Sequence, residues 1–157
     1  MKVKAYRAAL NAQRQPVIRE TGQAYHVDGR KTFTNPEDIA RFMLYEVGMI
    51  EAAEEFLYIL CLDNKGHLTG LFEASHGGVN ASLFPIREIY QKALLLGAVN
   101  IVMTHNHPSG DPTPSAEDIA ATNKLRAAGE IIGIGALDHI ITGTISGSYY
   151  SFTENRM

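Results

Sequence analysis

The segment THNHPSGDPTPSAED brings His105, His107 and Asp118 together, with ten residues between the second histidine and the aspartate. Residues two apart on an extended chain point to the same side, so both imidazoles can aim at one point just past the end of a strand. A loop holding Pro108, Gly110, Pro112 and Pro114 can bring the chain back, and its prolines limit the freedom lost on ordering. Asp118 then falls in the first turn of a helix and can supply a third ligand. Two imidazoles and one carboxylate leave a place open on a metal ion. That is the arrangement of a catalytic rather than a structural site, and it points to zinc. Zinc lowers the pKa of a coordinated water from about 15.7 to about 7, worth roughly 12 kcal/mol in favour of hydroxide at neutral pH.

Bland readings exist for the same residues. Loop histidines can bond to backbone, and Ser115 to Asp118 also matches a Ser-x-x-acid helix start that needs no metal. Capping accounts for Ser115 and Asp118 but leaves two adjacent imidazoles unexplained, so the metal reading is preferred. The set also suits a non-haem iron(II) oxygenase. Cytidine deamination is excluded, because no His-x-Glu or Pro-Cys-x-x-Cys element is present. Hydrolysis further needs a proton acceptor. Glu55 is the candidate because it immediately precedes a run read as a central strand, with Glu51 and Glu54 as near competitors.

The elements that must position these groups can be read in outline. Asn35 as a cap, Pro36, Glu37 and Asp38 open a helix that the spacing of Ile39, Met43, Val47 and Ile50 extends over roughly 36–50. FLYILCL is a β-prone run suited to a strand buried on both faces, and Asp63-Asn64-Lys65-Gly66 turns it into a second strand near His67 to Ala74. After Gly77-Gly78, PIREIYQKALLLG predicts a second helix over roughly 85–97. Val99 to Thr104 is a short strand delivering the chain to His105, and a third helix runs from about 115 to 128, closed by Gly129. IIGIGALDHIITG and SYYSF read as two or three further strands. Strands interleaved with helices indicate an α/β or α+β sheet layered with helices. In residues 1–34, Val3 to Leu10 suggests a strand and Gly22 to Gly29 turns; this arm receives no role.

Composition sets the outer limits. With 157 residues and 45% hydrophobic content the chain suits one domain, able to bury about 70% of its unfolded surface. No apolar run approaches the roughly 18 residues needed to span a bilayer, and no secretory signal follows the basic start, so a cytoplasmic protein is expected. The single cysteine, Cys61, lies in an apolar run and reads as a core thiol, so a metal must use His and carboxylate. Fourteen basic against seventeen acidic residues, net charge -3, with no basic block, give no support to nucleic-acid binding.

Glu55 followed by FLYILCLD, then REIYQKAL, THNHPSGDPTPSAED and LDHIITG, in this order, resembles the RadC-like proteins of the JAMM (MPN, or JAB) metalloprotease superfamily over roughly residues 36–153. That pattern is a glutamate, His-x-His, ten residues and Asp, with a serine three before the aspartate. Glu55, His105, His107, Ser115 and Asp118 occupy those places. The resemblance implies a cytidine-deaminase-like fold, a mixed sheet flanked by about three helices in residues 35–157, and a zinc-dependent hydrolase of amide or isopeptide bonds in a peptide or protein substrate. In that scheme Glu55 takes a proton from the zinc-bound water and returns it to the departing amine, while Ser115 helps hold the oxyanion. The alternative is a non-catalytic, metal-stabilised interaction module or a DNA-repair-associated one. Two departures stand out: Ile86 lies where relatives carry the proline before Arg-Glu, and residues 1–35 are too short for the helix-hairpin-helix module of longer members. Asp138-His139 looks like a family feature; a structural strand pair is the preferred reading, and contact with a zinc ligand the lesser one.

Overall fold

FLYILCL becomes the strand on which the molecule is built, because only a position covered on both sides removes seven consecutive apolar residues from water. In a computed structural model describing residues 2–27, 32–77, 84–145 and 147–157, this strand, β3 (Phe56–Leu62), lies inside a seven-stranded mixed sheet. The other strands are β1 (Lys2–Leu10), β2 (Pro16–His26), β4 (Leu68–His76), β5 (Asn100–His107), β6 (Gly135–Gly143) and β7 (Tyr149–Ser151), and the spatial order is β2-β1-β4-β3-β5-β6-β7. β3 is antiparallel to β4 and β5, whereas β5 and β6 run parallel. Among the described residues three α-helices cover the sheet: α1 (Pro36–Arg41), α2 (Ile86–Leu95) and α3 (Ala116–Ile132). The α+β expectation holds, and α3 supplies the crossover that the parallel β5–β6 pair requires. No helix among the described residues is long and apolar enough to cross a membrane.

Strand alternation divides the core in two. Leu60, Leu62, Val102 and Ile140 pack with Ile39, Phe42 and Met43 on the α1 side. Leu57, Ile59, Cys61, Ile101 and Met103 pack with Ile89, Tyr90, Ala93 and Leu125 on the side of α2 and α3. The face of Ile101 and Met103 is therefore the face that His105 and His107 continue. Burial pushes the Cys61 thiol up to about 12, which keeps it an inert core group.

Several boundaries differ from the sequence reading, each for a physical reason. The first helix does not run to residue 50. It is α-helical to Arg41, widens to a π-helical turn over Phe42–Glu46, and stops at Gly48, whose φ of 89° is left-handed; a 3₁₀ turn, Met49–Glu51, follows. α3 does not close at Gly129 but continues to Ile132, with Gly133 (φ 82°) as its left-handed end. Ile131 and Ile132 thus finish a helix instead of starting a strand. Gly129 is buried within the helix and takes no side chain, because a Cβ there would lie 2.5 Å from the carbonyl oxygen of Ile134 and 2.6 Å from Tyr90 Oη, which donates to the carbonyl of Leu125 at 2.7 Å. β5 does not end before His105 but runs to His107, since pairing with β6 continues to His107↔Gly143.

Residues 2–26 add two strands to the sheet, β1 pairing parallel with β4. Gly22 (φ 89°) lies within β2, where the register with β1 slips between Lys4 and Tyr6, so the expected turn is a bulge inside a strand. The remainder of that turn expectation, at 28–29, and Gly78 lie outside the described residues.

Candidate metal centre

β5 and α3 meet at the three side chains singled out by spacing. His105 and His107 alternate onto one face of β5, and their Nε2 atoms lie 3.0 Å apart. Asp118 enters from the first turn of α3, where a reciprocal capping box holds it. Asp118 Oδ2 accepts from the Ser115 backbone N–H and hydroxyl, both at 2.7 Å, and the Asp118 N–H donates to Ser115 Oγ at 3.1 Å. Its Oδ1 is 3.2 Å from His105 Nε2 and its Oδ2 is 3.5 Å from His107 Nε2. One donor atom from each residue lies within 4.8 Å of the others, a group that could hold a metal ion. Ligands about 2.0–2.1 Å from a tetrahedral zinc are about 3.4 Å from one another, so these separations fit that ion's coordination shell.

Two imidazole nitrogens and a carboxylate this close need positive charge among them. His105 is fully buried, and burial lowers its pKa against the opposing pull of Asp118. His107 reaches the surface, and its hydrogen bond to Asp118 raises its pKa above the ordinary value. Burial pushes the Asp118 carboxyl up, but the hydrogen bonds from both histidines outweigh it and hold the group far below the usual carboxylate range. His107 Nδ1 lies 2.8 Å from the Asp111 carbonyl, which only accepts, so Nδ1 keeps its proton in the neutral ring and Nε2, which bonds to Asp118 when the ring is protonated, is the lone pair available to an ion.

Behind His105 the site continues into the core. His105 Nδ1 is 2.8 Å from His139 Nε2, and His139 Nδ1 is 2.7 Å from Thr122 Oγ1. Phe152 stacks on His139 at 4.9 Å between centroids, and the Phe84 ring stands nearly perpendicular to both imidazoles. Burial holds His139 well below its ordinary pKa, so it is neutral.

Glu55 is exposed and precedes β3. Leu57 pairs with His105 as the last pair of the β3–β5 ladder, and Glu55 lies two residues before it on the chain entering β3. Its charge adds a smaller upward push to the pKa of both His105 and His107. Glu54 instead acts on His76 and lies beside Gly77, and Glu51 sits in the 3₁₀ turn near Val47 and Tyr58.

The family comparison agrees with this arrangement: residues 33–157 match the model described as RadC-like JAB domain. The chain belongs to the RadC-like JAB domain family. Its curated relatives include UPF0758 proteins of Pelobacter propionicus, 39% identical over 132 residues (84% of this chain, 56% of the relative), and Trichlorobacter lovleyi, 39% over 133 residues (85% and 56%). Another, from Clostridium perfringens, is 42% identical over 110 residues (70% and 48%). The chain spans about half the length of the curated relatives it matches.

In this RadC-like JAB domain the fold thus brings His105, His107, Asp118 and Ser115 together and sets Glu55 at their edge. Sequence reasoning passed over Thr122 and Asn106. Thr122 is one helical turn after Asp118 and so shares its face, a signal that spacing could have supplied. Asn106 points to the opposite face of β5 from its histidine neighbours, and only the tertiary partner it finds there marks it. His139 touches His105, which the preferred structural reading of Asp138-His139 did not foresee. Asp138 does serve structure, accepting from Ser151 Oγ and from the backbone N–H groups of His139 and Thr153.

Proposed function

We propose that this RadC-like JAB domain is a zinc-dependent hydrolase that cleaves an amide or isopeptide bond in a peptide or protein substrate. The observation that carries the reading is the convergence of His105 Nε2, His107 Nε2 and an Asp118 carboxylate oxygen at separations suited to a tetrahedral ion, with the charge of Glu55 acting on both histidines. A zinc ion held there supplies Lewis acidity and lowers the pKa of water.

The chain's own groups do the rest. A Glu55 carboxylate oxygen takes the proton of the attacking water and returns it to the departing amine. Exposure suits that task, because a carboxylate at the site's edge meets both water and substrate. Ser115 Oγ donates to the oxygen of the scissile carbonyl once it rotates from Asp118 Oδ2, its partner in the resting arrangement.

Metal analysis of the purified protein and of His107→Ala tests the site: one equivalent of zinc in the first and loss in the second is expected, and a zinc-free protein never exposed to chelator counts against it. An apo-to-zinc screen over amide and isopeptide substrates, with Glu55→Gln beside the parent protein, tests the chemistry. A second reading has support in the engagement of Ser115 Oγ with Asp118: the metal would pin α3 to β5 in a non-catalytic interaction module. Glu55→Gln indistinguishable from the parent across a broad panel would favour it.

A further inference from the structure

Asp118 contributes to the site through two different groups. Its carboxylate faces the two imidazoles, while its backbone carbonyl oxygen accepts from Thr122 Oγ1 at 2.7 Å. From Thr122 a chain of short contacts leads back to the same place. Thr122 Oγ1 lies 2.7 Å from His139 Nδ1, His139 Nε2 lies 2.8 Å from His105 Nδ1, and His105 Nε2 faces Asp118 at 3.2 Å. Thr104 to Asn106, Thr122 and His139 are all buried, so water does not substitute for a missing partner along it.

The polarity of this chain follows from its first link. A carbonyl oxygen only accepts, so the Thr122 hydroxyl spends its proton on Asp118 and must accept from His139 Nδ1–H. His139 Nε2 is then a lone pair, and His105 Nδ1–H donates to it. The opposite direction would leave Thr122 Oγ1 and the Asp118 carbonyl facing each other at 2.7 Å with no hydrogen between them. Only one direction therefore places a proton in every gap between the Asp118 carbonyl and His105 Nδ1, and it leaves the lone pair of His105 Nε2 facing Asp118 Oδ1 across the gap an ion would fill. Reversed, the same nitrogen would carry a hydrogen where the ion has to sit. We propose that Thr122 and His139 are positioning residues that set the tautomer of His105, making its Nε2 a metal ligand through a hydrogen-bond chain anchored on the backbone of the third ligand, Asp118.

Packing keeps the chain in place. Phe152 stacks on His139 with planes 5° apart, Phe84 stands nearly perpendicular to both rings, and the backbone N–H of His139 donates to Asp138 Oδ1. Free rotation of either imidazole is thus blocked, and the choice between tautomers is left to Thr122. Loss of the partner behind a metal-ligating histidine costs about 10–100-fold in metal affinity.

This inference rests on the metal-site reading, and the test separates the two. Nitrogen-15 signals of the histidines in the metal-free protein above pH 8, where imidazoles are neutral, report which nitrogen of His105 carries the proton. Zinc affinity is read alongside by competition with a chromogenic chelator. In the parent protein the proton is expected on Nδ1. Thr122→Val keeps the shape but removes the hydroxyl; it should split His105 between tautomers and weaken zinc about 10-fold or more, and Thr122→Ser should restore both. His139→Gln, which can offer an oxygen to His105 and an amide N–H to Thr122, should stay nearer the parent than His139→Leu. A proton on Nε2 in the parent, or a folded Thr122→Val with parental tautomer and affinity, overturns the inference. A parent that takes up no zinc sinks the metal reading instead, while its nitrogen signals still decide the polarity.

Discussion

Asn106 takes hold of the chain on both sides of Glu55: its Nδ2 donates to the Glu54 carbonyl at 2.9 Å, and its Oδ1 accepts the Phe56 N–H at 2.8 Å. The residue between the two histidines thereby fixes the strand end that carries the proposed proton acceptor. The two imidazoles leave β5 on one face and the amide leaves on the other, so one short run of strand serves both the ion and the glutamate. Asn106→Ala removes two part-buried hydrogen bonds and is expected to cost about 1–3 kcal/mol of stability in a denaturant titration. Zinc uptake should stay near one equivalent while hydrolysis of any substrate found in the screen falls. Loss of zinc together with activity would show that Asn106 supports β5 itself.

Removing the ligands should separate binding from folding. His107→Ala takes away a side chain near the surface, and the metal-free variant should unfold close to the parent. Asp118→Asn should also lose zinc, but it weakens the capping box with Ser115 and so lowers the stability of the metal-free protein by about 0.5–2 kcal/mol. Equal thermal midpoints for the two metal-free variants would contradict this.

Acid should loosen the metal-free protein between pH 7 and pH 5. His105 and His139 have pKa values lowered by burial, so the unfolded chain takes up protons that the fold refuses, and stability falls as pH drops through about 6.5. His107 works the other way: its raised pKa gives stability that is full below about 6.5 and fades as pH rises through the folded value. The lowered Asp118 gives stability present above its ordinary value of 3.8 and lost as pH falls through the folded one, outside this window. Two buried groups oppose the partly exposed His107 and the exposed His76, whose hydrogen bond to Glu73 raises its pKa but is screened by solvent, so a lower midpoint at pH 5 is expected, with a shallower dependence in His139→Gln. Thermal scans across the range check the sign. Zinc should stabilise more at pH 7 than at pH 5, because protons compete for its ligands.

Gly129→Ala is a case where helix propensity and packing disagree. Alanine favours a helix by about 1 kcal/mol over glycine. The added Cβ would nevertheless meet the backbone oxygen of Ile134 and the Tyr90 hydroxyl far inside contact distance. A net loss of about 1–3 kcal/mol is expected. Tyr90→Phe should relieve it only in part, since the Ile134 carbonyl remains. A stabilised Gly129→Ala would mean that α3 and the start of β6 separate more easily than their packing indicates.

Local patterns carried much of this protein's design. FLYILCL had to be a covered strand, Asn35-Pro36 had to start a helix, and Ser115 to Asp118 had to start another, because each depends on alternation, φ restriction or capping within a few residues. The boundaries that shifted were decided by partners distant in sequence. Gly129 reads as a helix stop until Tyr90 and the Ile134 carbonyl are seen against it, and the extension of β5 through His107 depends on pairing with β6. Glu51, Glu54 and Glu55 cannot be ranked from spacing, whereas in the fold it is the charge of the last that acts on both histidines.

What the sequence determined by itself was therefore a donor set, its order and the elements presenting it, since the two-residue repeat of a strand and the first turn of a helix are local geometry. What only the tertiary structure decided was the surroundings of those donors. Thr122 and His139 stand behind His105, and Asn106 stands behind Glu55, because folding closes gaps of 17, 34 and 50 residues. A hydrogen-bond chain acquires its direction only when every partner is in place, and no single stretch of this sequence contains them all.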